Sequence, residues 1–143
     1  MKTRIIALLI LTIILSSFFV TAAASDVSTR SLNNTSSTST NFTISTSGNA
    51  CISVSYNGYK NVTTGAKITS YIEKRTLGIF WSKVDIGQTN NEWVDTSTDY
   101  LDAFVHNFQL PSTGTYRATV VYEISGTGGA TDVIEYEQER TYS

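Results

Sequence analysis

The sequence contains a single cysteine, a single histidine and a single proline. With Cys51 alone no internal disulfide can form, so a secreted domain of this composition must rest on its hydrophobic core. One His and one Cys also exclude the tetrahedral ligand sets of zinc sites. No segment repeats apolar residues at the 3.6-residue helical period, which leaves no amphipathic helix to expect. Beyond residue 20 no second long apolar run follows, and hence no further candidate for a membrane span.

What is present begins with a processing signal. Lys2 and Arg4 precede the almost wholly apolar run Ile5 to Val20, and "TAAAS" sets Ala22 and Ala24 at the A-x-A positions of a cleavage site. At 16 residues the run is short for a bilayer, which needs about 20. Residues 1–24 are therefore expected to be a secretory signal peptide, releasing an extracellular chain of 119 residues, the size of one domain. Loss of Lys2 and Arg4 moves the formal net charge from −2 to −4. That disfavours nucleic acid and, after signal cleavage, an anionic membrane as partners. Charge is also segregated. Residues 60–84 hold Lys60, Lys67, Lys74, Arg75 and Lys83 against Glu73, whereas Asp85 to Glu139 hold ten acids and one Arg.

From Ser25 to Asn49, 18 of 25 residues are Ser, Thr or Asn. Residues 25–40 offer little to bury and are expected to be a flexible lead-in, followed by a β-sandwich domain over 41–143. Four N-x-[ST] sequons, at Asn33, Asn34, Asn41 and Asn61, fall in and just after this segment. They are acceptors only in a eukaryotic host, and in so Asn/Ser/Thr-rich a stretch they arise by composition. "CISVSY" then alternates, and "KITSYIEKR" aligns Ile68 with Ile72. "IFWSKVDI" groups Phe80, Val84 and Ile86 opposite Trp81, and "DAFVHNFQL" aligns Phe104, His106, Phe108 and Leu110. "TYRATVVYEI" aligns Tyr116, Ala118, Val120, Tyr122 and Ile124, and "SGTGGA" is a Gly-rich turn before a last strand. Short alternating strands without helices between them imply an all-β, antiparallel sandwich.

The stretch "LPSTG", Leu110 to Gly114, spells a sortase signal, yet the required apolar span and basic tail do not follow it. It reads as a strand connection, with Pro111 opening a turn and Gly114 supplying positive φ. Sortase anchoring is not expected. "STGTYRA" instead resembles the D-x-G-x-Y-x-C corner of immunoglobulin-type domains, with Gly114 and Tyr116 matching. Ser112 replaces the Asp and Ala118 the Cys, so the resemblance implies an immunoglobulin-like sandwich without its disulfide. "YIEKRTLGIFWSKVDIG", "NEWVDT" and "GTYRATVVYEISGTGGATDVIEYE" resemble uncharacterised small secreted proteins of Gram-positive bacteria, mostly Firmicutes, over roughly residues 50–137. That resemblance implies secretion and an all-β fold, and supplies no activity.

Candidate chemistry is sparse. His106 has Asp102 as a nearby carboxylate, but no nucleophile motif accompanies it, and a partly buried structural histidine is expected. No enzyme is expected. Glu92, Asp95, Asp99 and Asp102 crowd "NNEWVDTSTDYLD" and raise calcium as the one cofactor to consider, although their spacing is not that of an EF-hand loop. No other cofactor is implied. Cys51 lies opposite Ile52, Val54 and Tyr56 in parity, where an intermolecular disulfide would give a homodimer. Flat sugar faces dock on exposed rings. If the strands around residues 71 and 81 pair, Tyr71 and Trp81 share an outward face with Arg75 and Lys83, and Trp93 is a third candidate ring. The expectation is a secreted, non-enzymatic binding module for cell-wall or environmental glycan. The alternatives are a structural or self-assembling surface protein, partnered by another protein through edge strands or Cys51, and a secreted bacteriocin-like effector.

Overall fold

The structure, a computed structural model, describes residues 32–143. The expected signal peptide and the first part of the Ser/Thr/Asn-rich segment lie outside the described residues. Eight strands follow in order: β1 (Thr35–Ile44), β2 (Asn49–Gly58), β3 (Thr63–Thr76), β4 (Phe80–Lys83), β5 (Trp93–Ser97), β6 (Leu101–Gln109), β7 (Gly114–Gly126) and β8 (Asp132–Tyr142). Apart from one 3-10 turn at Thr89–Asn91, the described residues contain no helix.

All pairings are antiparallel and form two sheets. The smaller runs β1-β2-β6. The larger runs β4-β3-β7-β8, with β5 also pairing β3 beside β4. With β1, β2 and β6 in the places of A, B and E, and β3, β7 and β8 in those of C, F and G, this is the pairing order of an immunoglobulin-type sandwich. Strand D is missing from the smaller sheet, because both segments between β3 and β6 lie along β3 instead.

Period-2 alternation builds the core. Ile52, Val54 and Tyr56 of β2 face Ile68 and Ile72 of β3 and the row Tyr116, Ala118, Val120, Tyr122, Ile124 of β7, all buried. Each large side chain so buried contributes about 1.5–3 kcal/mol, which compensates for the absent disulfide. On one side β1 closes onto the larger sheet. The Tyr122 hydroxyl donates to the Ser39 carbonyl at 2.8 Å and accepts from Thr40 at 2.7 Å, and the Gln138 side chain accepts the Phe42 N–H at 2.7 Å. Burial pushes the Tyr122 phenol up, so it donates across the whole physiological range.

Two expectations need correction. The first strand starts at Thr35, so residues 35–40 belong to the domain and not to a flexible lead-in. Asp132, itself buried, accepts the N–H groups of Asn33 and Asn34 and the Thr35 hydroxyl, and this anchors the segment. Asn34 is fully buried with its amide donating to the carbonyls of Ile124 and Ala130, which removes it as a surface sequon. Phe80 is 58% exposed, because β4 runs past the end of the smaller sheet that would cover it. "LPSTG" forms the β6–β7 connection. Leu110 is in the core, and the buried Tyr116 donates its hydroxyl to the Ser112 carbonyl at 2.6 Å, which ties the corner shut.

Candidate functional site

The outward face of the larger sheet carries the two rings. Residues 73–76 of β3 pair with β4 so that Arg75 lies opposite Trp81 and Glu73 opposite Lys83. Tyr71 follows two residues along on the same face, with Thr119 of β7 beside it. Strand pairing thus brings Tyr71, Trp81, Arg75 and Lys83 together on one surface.

Cations occupy the ring faces. The Lys83 ammonium stands 4.2 Å from the Tyr71 centroid, and the guanidinium groups of Arg117 and Arg75 stand 4.6 and 5.7 Å from that of Trp81. These are cation–π distances. Arg117 comes from β7. Its Nε and Nη2 donate to Glu73 at 2.9 and 2.6 Å, and its Nη1 meets Glu137 at 3.0 Å. Burial opposes the charge of Arg117, but the hydrogen bonds and fields of Glu73 and Glu137 outweigh it and hold the guanidinium above its ordinary pKa. It is therefore a fixed cation on Trp81. Sequence reading had no means to find it, since only the β3–β7 register brings residue 117 to residue 73. Thr119, on this face, is fully buried and its hydroxyl has no partner.

Trp93 is not part of this surface. It faces inward, stacked on His106 at 5.0 Å between centroids and 7° between planes, with Phe108 edge-on at 6.5 Å. Its neighbour Val94 takes the outward position and is 53% exposed. The inward side at β5 is a seam against β6, wide enough for a ring, and the larger aromatic surface gains more from burial than valine does. His106 is half-buried there as expected, but its carboxylate partner is Asp95 and not Asp102.

The four acidic candidates do not converge. Glu92 pairs with Lys83, and Asp95 with His106. Asp102 accepts the N–H of Ala103 at 2.8 Å, and Asp99 lines a shallow open depression with Thr96, Ser97 and Thr98. Among the described residues no group of three or more His, Cys, Asp or Glu is placed to hold a metal ion. Cys51 lies on the outward face of the smaller sheet, partly exposed, with Thr43 and Asn107 as its strand neighbours. No helix among the described residues is long and apolar enough to cross a membrane. No protein-family model, no curated protein and no solved structure matches this chain.

Proposed function

We propose that this chain is a secreted, non-enzymatic binding module that holds a cell-wall or environmental polysaccharide against the outward face of its larger sheet. One observation carries the reading: Tyr71 and Trp81 share one outward face with Arg75, Lys83 and Arg117, each ring within 4.2–5.7 Å of a cation. Rings supply stacking area for sugar C–H faces as Lys83 and Arg75 turn from them to carboxylate- or phosphate-bearing units, for which the cations supply donors and charge. That combination favours an acidic glycan over a neutral one.

The test is co-sedimentation of the chain from Ser25 onward with purified walls and with insoluble acidic and neutral polysaccharides. Retention on the acidic material should fall roughly tenfold for Trp81→Ala, the loss of about 1.4 kcal/mol of stacking. Arg75→Gln should weaken it without changing the fold. Retention on no polysaccharide, or retention indifferent to Trp81, rules the reading out.

A second reading, self-assembly, is favoured by the other sheet. Its outward face, through Asn41, Thr43, Cys51, Ser53, Ser55 and Val105, bears no charged side chain. Nothing on it repels a second copy, and β6 is an edge strand. Sedimentation velocity with and without reductant separates the two: a dimer that depends on Cys51 supports assembly.

A further inference from the structure

The β3–β4 hairpin ends in three large apolar side chains that the fold does not use. Leu77 is 89% exposed, Ile79 69% and Phe80 58%. Residues 77–79 connect the paired Thr76 and Phe80, and Leu77 and Gly78 are the central positions of a turn closed by the Ile79 N–H donating to the Thr76 carbonyl at 3.2 Å, with φ of 51° and 75°. A turn with positive φ at both central positions is normally filled by Asn-Gly or Gly-Gly. A leucine there occupies a region that bulky side chains rarely adopt. At 89% exposure it gains no packing in return. Strain with no compensation inside the chain points to a use outside it.

The surroundings of the tip indicate the partner. Lys74 and Arg75 precede the turn, and among the described residues neither has a carboxylate within 4 Å. Lys74 donates to the Ser112 hydroxyl over the Tyr116 ring and Arg75 rests over Trp81, neutral partners that leave both charges uncompensated. Glu73, the nearest acid in sequence, is held by Arg117. The Arg75–Trp81 pair lies one step behind the Thr76–Phe80 pair, or about 3.3 Å further from the tip. From the tip inward the order is apolar side chains, then Trp and Arg, then Lys. A bilayer boundary is layered the same way, with acyl chains beneath a head-group zone that favours Trp and cations. The acids of β8 lie two strands from Lys74 and Arg75 on β3, about 10 Å, which is a full Debye length of about 8–10 Å. The first charges an approaching surface meets behind the apolar tip are therefore the basic ones of β3.

We propose that this hairpin tip is a membrane-contact element: Leu77, Ile79 and Phe80 enter the boundary of an anionic bilayer while Lys74 and Arg75 meet its head groups. It shares Arg75 with the glycan reading, but the tip substitutions below leave Tyr71, Trp81 and Arg75 in place, so the two fail independently.

The experiment pellets the chain from Ser25 onward with vesicles of phosphatidylglycerol and phosphatidylcholine, and with vesicles of phosphatidylcholine alone. Wild type should be retained on the anionic vesicles, less so as salt rises, and roughly tenfold less on the neutral ones. The variant Leu77→Asn/Phe80→Ser should lose roughly tenfold of that retention. Leu77→Asn alone should keep or raise the melting temperature, since Asn accepts the positive φ. Equal retention of wild type and the double variant, or no retention on either vesicle, overturns the proposal. So does a concentration-dependent dimer that the double variant dissolves, which assigns the tip to a second copy.

Discussion

The Nε2 of His106 lies 2.6 Å from Oδ2 of Asp95, and this pair joins β6 at the edge of one sheet to β5 at the edge of the other. Trp93 lies flat on the same imidazole. Strand β5 is short and hydrogen-bonded on one side only, to β3, so these contacts hold the open side of the sandwich together.

Replacing His106 by Ala leaves the half-buried Asp95 without its partner and Trp93 without its cover. The expected cost is about 2 kcal/mol in urea unfolding. In a Trp81→Phe background the remaining emission, from Trp93, should move to the red. Unchanged stability and emission would show that the seam is held by Phe104 and Phe108 alone.

The stability of this fold should depend on Asp132 as pH falls. Burial alone would raise its pKa, but the N–H groups of Asn33 and Asn34 and the Thr35 hydroxyl more than offset this and hold it below the ordinary carboxylate value. A pKa depressed by folding adds stability that is complete above the unfolded value, near 4, and lost as pH falls through the folded one. Asp132→Asn should therefore cost about 2 kcal/mol at pH 7, and its deficit relative to wild type should shrink below pH about 4. A deficit that stays constant from pH 7 to pH 2 would contradict this.

Thr119 presents a fully buried hydroxyl with no partner, between Tyr71 and Glu137 in register. Valine has the same shape without the polar atom, so Thr119→Val should stabilise the domain by about 1 kcal/mol. A destabilised variant would reveal an unseen partner for that hydroxyl.

Tyr116→Phe keeps the buried ring and removes only the hydroxyl that reaches Ser112. A loss of about 1 kcal/mol is expected. Chemical denaturation with no change in midpoint would mean that the corner is held by Leu110 packing instead.

Much of the fold was legible because its signals are local. Alternation identifies the inward rows of β2, β3 and β7, since successive side chains in a strand must point to opposite faces. The Tyr116 corner and the turn at Pro111 are short-range chemistry of the same kind. Tyr71 and Trp81 were also expected to share a face with Arg75 and Lys83, because parity gives the face once a pairing is assumed.

The rest depends on contacts far apart in the chain. Thr35 begins a strand because of a carboxylate 97 residues away, and nothing apolar in residues 35–40 announces it. Parity alone cannot choose between Trp93 and Val94; the seam left by β6 does. Phe80 has the parity of a core residue, but the opposing sheet ends before it. Arg117 reaches Trp81 only through the register of β3 against β7. The sequence by itself determined the strands and their two faces, through steric period and apolar burial. The tertiary structure decided what covers each face and where the sheets stop, because those are properties of long-range register that no local pattern encodes.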